Sequence, residues 1–200
     1  MSHADDPLLR LLRDSHIFSF FVRAQLEEGY LRESVGTGVT FTQLNILKMI
    51  TSSGRHHVGD VAHFLDASYA AASKLVDRMK ARKLIRGKPF AGDRRAEVLE
   101  LTPTGRQVIE TYEKHKLSKL RQKLRHVGAA EMAQMSATLE RLLGLLLEGK
   151  ELIQRACLQC GAYYSTGCLV RESGADCPYY SDRVSKRLAA RAAKQPSFAP

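Results

Sequence analysis

Every cysteine of the chain lies between residues 157 and 178, in "CLQCGAYYSTGCLVRESGADCP", with the spacing C-x2-C-x7-C-x8-C. Four thiols gathered in a basic chain can hold a metal centre, close a disulfide clip, cycle as a redox pair, or be an accident of composition. No cysteine occurs in the preceding 156 residues, which argues against accident. Cys157 and Cys160 are close enough to clasp one metal centre. Cys168 and Cys177 can fold back to complete a four-sulfur shell, as zinc or iron–sulfur chemistry requires. The glycine after Cys160 in "CLQCG" favours a zinc knuckle, but no second knuckle follows at Cys168 and Cys177. The proline after Cys177 favours an iron–sulfur cluster instead. In the redox alternative, Cys157 and Cys160 form a regulatory disulfide. Tyr163, Tyr164, Tyr179 and Tyr180 read as a water shield for the centre; Arg171 either compensates thiolate charge or is solvated.

Choosing among these depends on the chain that carries the thiols. Two hundred residues suffice for one domain plus an extension, and such a chain buries a core without cross-links. The opening "MSHADDPLLRLLRD" lacks the pattern of a secretory signal, and no apolar stretch approaches the roughly 20 residues that span a bilayer. The expectation is a cytoplasmic protein without a membrane partner, in a compartment that disfavours structural disulfides. The formal charge of +10 points to a polyanion. Its placement says more: Tyr69 to Arg95 holds nine Lys or Arg against two Asp, a net +7.

Hydrophobic periodicity predicts the elements around that basic stretch. A long helix over 7–34 repeats Leu8, Leu11, Leu12, Phe18, Phe21 and Val22 at helical spacing and ends at "GTG". A second helix starts near Thr42, and a short third starts at Val58 with Val61, Phe64 and Leu65 inward. "DAS" then turns the chain into a helix capped by Ser68, whose buried stripe is Ala72, Leu75, Val76 and Met79. "LIRGKPF" and "AEVLELT" flank "AGDRR" as the strands of a hairpin with a basic tip. Pro103 opens a helix running to about His126, and a last helix over 129–153 carries Met132, Met135, Leu139, Leu142 and Leu146, widened by Leu143, Leu145 and Leu147. So many leucines imply more than one neighbour, most simply a second subunit. The tail from 181 reads as a helix fraying into disorder.

The order helix, short helix, turn, helix, hairpin is a winged helix-turn-helix, which places the helix after the turn in a major groove of double-stranded DNA. Ala70 and Ala71 allow close approach to base edges, and Ser68 caps an N-terminus suited to phosphate. Ser73 and Lys74 face base edges, with Tyr69 at the margin and Arg78 on the same face. On the wing, Lys88, Arg94 and Arg95 reach phosphate or a narrow minor groove, and Asp93 orients an arginine. The contrasting reading treats the charges as a solvated surface, and the basic run "KHKLSKLRQKLRH" at 114–126 is read that way. His56, His57 and His63 are read as surface or packing residues. No Ser/His/Asp order, paired carboxylate or phosphate loop suggests an enzyme.

The run from "TQLNILKMI" through "VGDVAHFLDASYAAASKLVDRMKARKLIRG" to "DRR" and "LTPTG" resembles the MarR family of bacterial transcription regulators over roughly residues 8–153. The resemblance implies a homodimer joined through its N- and C-terminal helices on a pseudo-palindromic operator, usually a repressor released by a ligand or oxidant. "GCLVRESGADCP" is also similar to the cluster-binding end of SoxR-type redox regulators, with "AYYST" inserted before the third cysteine.

The fold class expected is mainly α with a small β-hairpin wing. Residues 1–38 form a dimerisation helix, 39–103 the DNA-binding lobe, 104–153 further dimerisation helices, 154–181 the four-cysteine segment and 182–200 a basic tail. The leading functional reading is a regulator whose [2Fe-2S] or [4Fe-4S] cluster on Cys157, Cys160, Cys168 and Cys177 senses redox state, oxygen or nitric oxide. The alternative gives those residues structural zinc and leaves regulation to a small aromatic or anionic effector. A third reading, a thiol oxidoreductase or metal-trafficking protein, would use the winged helix for protein contacts alone.

Overall fold

The first helix starts where its cap chemistry says it should: the Asp6 carboxylate accepts from the Leu8 N–H at 2.9 Å, and Pro7 occupies the first turn. The computed structural model describes residues 6–52, 56–90 and 93–146, with the backbone alone at 52, 90 and 93–96. Two compact units emerge, one from the described parts of Met1–Leu44 with Gln107–Arg125, the other from those of Asn45–Arg106 and His126–Pro200.

In the first unit, α1 (Pro7–Phe21), a π-helical segment (Val22–Gly29) and α2 (Tyr30–Val35) form a continuous helical run that ends at Gly36, where φ is +80°. The predicted extent is right, but the wide π turns in its middle are not visible in periodicity. The Leu26 carbonyl within those turns accepts from the Tyr112 hydroxyl at 3.1 Å. Tyr112 belongs to α6 (Pro103–Lys123), whose Val108, Tyr112 and Lys116, four apart, are buried. Tyr30 and Leu31 are the buried residues of α2, whereas α1 and the π segment bury none.

α3 (Phe41–Ser52) opens with a reciprocal cap. The Thr40 hydroxyl accepts from the Gln43 N–H at 3.2 Å, and the Gln43 side chain accepts from the Thr40 N–H at 3.1 Å. The cap is therefore Thr40, two residues before the expected start. In the second unit, Asn45 to Ile50 of this helix are buried. α4 (Val58–Leu65) buries Val61, Ala62 and Phe64 and ends at Asp66 in the left-handed region, φ 51°. Ser68 caps α5 (Tyr69–Ala81), its hydroxyl accepting from Ala71 N–H at 3.3 Å. Ala72, Val76 and Met79 form the buried stripe, with Leu75 half-buried. After Lys83, at φ 56°, the Leu84 N–H returns to the Met79 carbonyl at 3.0 Å and closes the helix.

β1 (Ile85–Phe90) and β2 (Asp93–Leu101) pair antiparallel, with Ile85 opposite Leu101, Gly87 opposite Leu99 and Pro89 opposite Glu97. His56 adds a single bridge, its carbonyl accepting from the Leu99 N–H at 2.7 Å. Thr102 accepts from the Gly105 N–H at 3.1 Å and donates to the Leu84 carbonyl at 3.0 Å. Gly105 sits so close to that carbonyl that a β-carbon would overlap it. α7 (Ala129–Leu146) buries no residue, and Met132, Met135, Leu139 and Leu143 stand exposed. Its predicted continuation to 153 lies outside the described residues. No helix among the described residues is long and apolar enough to cross a membrane. The mainly helical fold with a two-strand wing is the one expected; the described chain is a single protomer.

Candidate nucleic-acid interface

Packing Ala72, Val76 and Met79 inward fixes which residues α5 presents outward. Tyr69, Ala70, Ala71, Lys74, Asp77 and Arg78 are exposed and Ser73 is half-buried. At about 3.6 residues per turn, Ala70, Lys74, Asp77 and Arg78 stack along one face. Small residues thus occupy the first turn and a long cation stands one turn further on, with a second cation near the helix end. Ser68 is exposed at the N-terminus but already spends its hydroxyl on the Ala71 N–H.

The wing is the second component, and its two faces differ. Arg86, Lys88 and Glu100 share one face: Arg86 Nη2 lies 2.9 Å and Lys88 Nζ 3.7 Å from the Glu100 carboxylate. The predicted contact residue Lys88 is therefore exposed, yet shares an acid with Arg86. Leu99 and Ile85 face the other way and are buried. Beyond them, Glu97 pairs with Lys80 of α5, and its carbonyl meets His57 Nδ1 at 2.7 Å. Arg94 and Arg95 lie in β2, at the tip end of the strand; their side chains and that of Asp93 are outside the described set.

Glu97 and Glu100 were absent from the sequence-derived site. The alternation in "AEVLEL" contained the signal, since Glu97, Leu99 and Leu101 must share one face and Val98 and Glu100 the other. The partner of each acid depends on strand register.

Part of the basic run of α6 engages partners within its own unit, while Lys114, Arg121 and Lys123 are exposed. Glu33 accepts from His115 Nε2 at 3.0 Å and lies 3.4 Å from Lys119 Nζ. The His115 hydrogen bond, ahead of Lys119, holds the Glu33 carboxyl below the usual range against a smaller opposing effect of desolvation. Lys116, buried, pairs with Glu113 at 2.6 Å and stands 4.9 Å above the Tyr112 ring. Lys123 lies 5.7 Å from the centre of the Tyr30 ring, and His115 meets that ring edge-on. Burial pushes the Tyr112 hydroxyl pKa up. These engagements account for four of the run's basic groups within the protein itself.

Of the three histidines read as surface or packing residues, His56 serves the strand bridge through its carbonyl and the His57 ring meets the Glu97 carbonyl, while His63 is exposed on α4. Among the described residues no group of three or more His, Cys, Asp or Glu could hold a metal. Cys157, Cys160, Cys168 and Cys177 lie outside the described residues, as do Tyr163, Tyr164, Arg171, Tyr179 and Tyr180.

Residues 37–96, from the end of α2 to the wing, match the sequence model of the MarR family. Solved structures similar to the chain include a transcriptional regulator from Thermotoga maritima, 25% identical, with a TM-score of 0.51 over 70% of this chain and 94% of that one. FabT from Streptococcus pneumoniae in complex with DNA is 18% identical, with a TM-score of 0.55 over 68% of this chain and 96% of that one. Wild-type MarR from E. coli in its apo form is 21% identical, with a TM-score of 0.52 over 69% and 97%. No curated protein matches the chain.

Proposed function

We propose that the chain is a DNA-binding transcription regulator of the MarR family, a homodimeric repressor that reads a pseudo-palindromic duplex. The observation that carries this reading is the outward face of α5, with Ala70 and Ala71 in its first turn, Lys74 and Arg78 behind them and the wing alongside. That face lies within the segment that matches the family, and a structural neighbour is a DNA complex. Ala70 and Ala71 let the helix approach base edges, Ser73, Lys74 and Tyr69 supply the polar contacts, and Arg78 with the wing cations holds the phosphates. The exposed apolar residues of α1 and α7 support a second copy as the partner in solution. No catalytic role belongs to this reading.

The four cysteines extend it. Four thiolates and no other necessary donor suit an iron–sulfur cluster, and Cys157, Cys160, Cys168 and Cys177 would hold it. Such a cluster supplies a one-electron change of charge when bound. The segment follows the last dimerisation helix in sequence, which supports redox control of DNA binding as its purpose.

Two experiments test this. Selection from a random-sequence duplex pool should yield a two-fold symmetric site bound by the dimer; recovery of no preferred sequence would count against the regulator. Protein purified without oxygen should be coloured, with visible absorption that disappears when the cysteines are changed to serine. A colourless protein with stoichiometric zinc would select the alternative, a structural zinc site with regulation by a small aromatic or anionic effector.

A further inference from the structure

Glu97 and Glu100 of the wing sit on opposite faces of the hairpin and are tied to different things. Glu100 neutralises Arg86 and Lys88 within the hairpin itself. Glu97 is held by elements outside it. Its carboxylate pairs with Lys80, in the last turn of α5. Its carbonyl meets the ring of His57, the residue that precedes α4, at 2.7 Å. A carbonyl oxygen only accepts, so Nδ1 carries the proton there. The backbone N–H of the same His57 donates to the Asp60 carboxylate at 2.7 Å, which fixes that residue to the first turn of α4. Finally, the Glu97 side chain crosses Gly87 of β1, and a β-carbon at Gly87 would fall on its carboxylate. One wing residue is thus referenced to both helices of the helix-turn-helix, across a glycine that leaves it the room.

We infer that Glu97 is a positioning residue for DNA recognition, which sets the wing tip at a fixed distance from the outward face of α5. The inference rests on the DNA-binding reading. Leverage makes the position matter. A strand rises about 3.3 Å per residue, so Arg94 stands roughly 10 Å along β2 from Glu97. A pivot of about 10° at Glu97 then moves the tip by nearly 2 Å, more than a directed hydrogen bond tolerates. Stability is a lesser matter: the side chains of Lys80 and Glu97 are 28% and 43% exposed, and ion pairs so placed add little to folding.

The sign of the effect separates positioning from charge. Removing an acid from a DNA-binding surface raises net charge and by itself tightens binding to any duplex. Loss of positioning weakens binding to the preferred duplex only.

The test uses the full-length protein, a duplex selected by it from a random-sequence pool, and a scrambled duplex of equal length, followed by fluorescence anisotropy. Glu97→Gln is expected to bind the selected duplex about tenfold more weakly, a loss similar to one mismatched base pair, and the scrambled duplex as tightly as the wild type or more so. Gly87→Ala, which displaces the carboxylate without changing charge, should show the same loss on the selected duplex. The exchange of partners in Lys80→Glu with Glu97→Lys should recover most of what either single change loses. Undiminished binding of the selected duplex by Glu97→Gln overturns the inference. If the wild type selects no duplex, the DNA-binding reading has failed, and hydrogen exchange then decides the positioning claim by itself. Amides of β1 and β2 should exchange about tenfold faster in Glu97→Gln at an unchanged unfolding midpoint. Equal exchange rates would overturn it.

Discussion

The elements from α3 to β2 and the helices α1 and α7 use the same apolar residue types in opposite ways. Between Asn45 and Leu99 the apolar side chains Leu47, Val61, Phe64, Val76, Met79, Ile85 and Leu99 of α3, α4, α5 and the strands are buried. On α1 and α7 no residue is buried, and Leu8 at 69%, Phe20 at 65% and Leu145 at 72% stand open. The first set makes a core that the described residues complete; the second makes apolar surfaces that the described residues leave open. A polar residue substituted into one set should therefore unfold the protein, and into the other should change how many chains associate.

The largest effect is expected in the completed core. Leu47→Ala should destabilise the protein by about 2–5 kcal/mol, since the fully buried site of a large side chain cannot collapse completely. Urea denaturation followed by circular dichroism measures this, and a loss near zero would mean that the lobe is not the core described. Next comes the open set. Leu139→Glu combined with Leu143→Glu should leave helix content intact but turn the proposed dimer into monomers in sedimentation analysis. Uncoupling two half-sites should then cost roughly 100-fold in affinity for a two-fold symmetric duplex. A dimer of unchanged stability would erase the contrast between the two regions.

Smaller changes refine the same contrast inside the unit that contains α1. Tyr112→Phe removes the donor on the Leu26 carbonyl and should cost about 1 kcal/mol, read from the denaturation midpoint. Glu33→Gln should have the smallest effect, and it should depend on pH. The Glu33 carboxyl is held below its usual value of 4.5, chiefly by His115, so the folded state binds that proton less readily than the unfolded one. Its contribution is present above pH 4.5 and is lost as pH falls through the lowered value. Wild type and variant should therefore differ slightly at neutral pH and converge in acid; a difference that grows in acid would reverse the assignment.

Sequence reasoning reached the parts of the fold that depend on local rules. The Ser68 cap, the stripe of Ala72, Val76 and Met79, and the Pro103 start of α6 each follow from neighbouring residue types. The outward face of α5 was legible for the same reason, as the complement of a stripe. What lay beyond it required geometry between distant residues. Nothing in "VRAQLEEG" announces π turns, because the Leu26 carbonyl finds Tyr112 86 residues away. Glu97 could be placed on a face by alternation, but its pairing with Lys80 and His57 depends on strand register and on the room over Gly87. The basic run at 114–126 reads in sequence as solvated surface, and its engagement by Glu33, Glu113, Tyr30 and Tyr112 depends on packing between distant residues.

The most direct measurement of the central claim is anisotropy of the wild type and Lys74→Ala on a duplex selected by the wild type, at two salt concentrations. Lys74 is exposed on the outward face of α5 and no part of the core, so its loss should leave folding unchanged. Binding to the selected duplex should fall by about 10- to 100-fold, with a smaller salt dependence from the lost cation. Equal affinity of the two proteins for that duplex would contradict the assignment of α5 as the element that reads DNA.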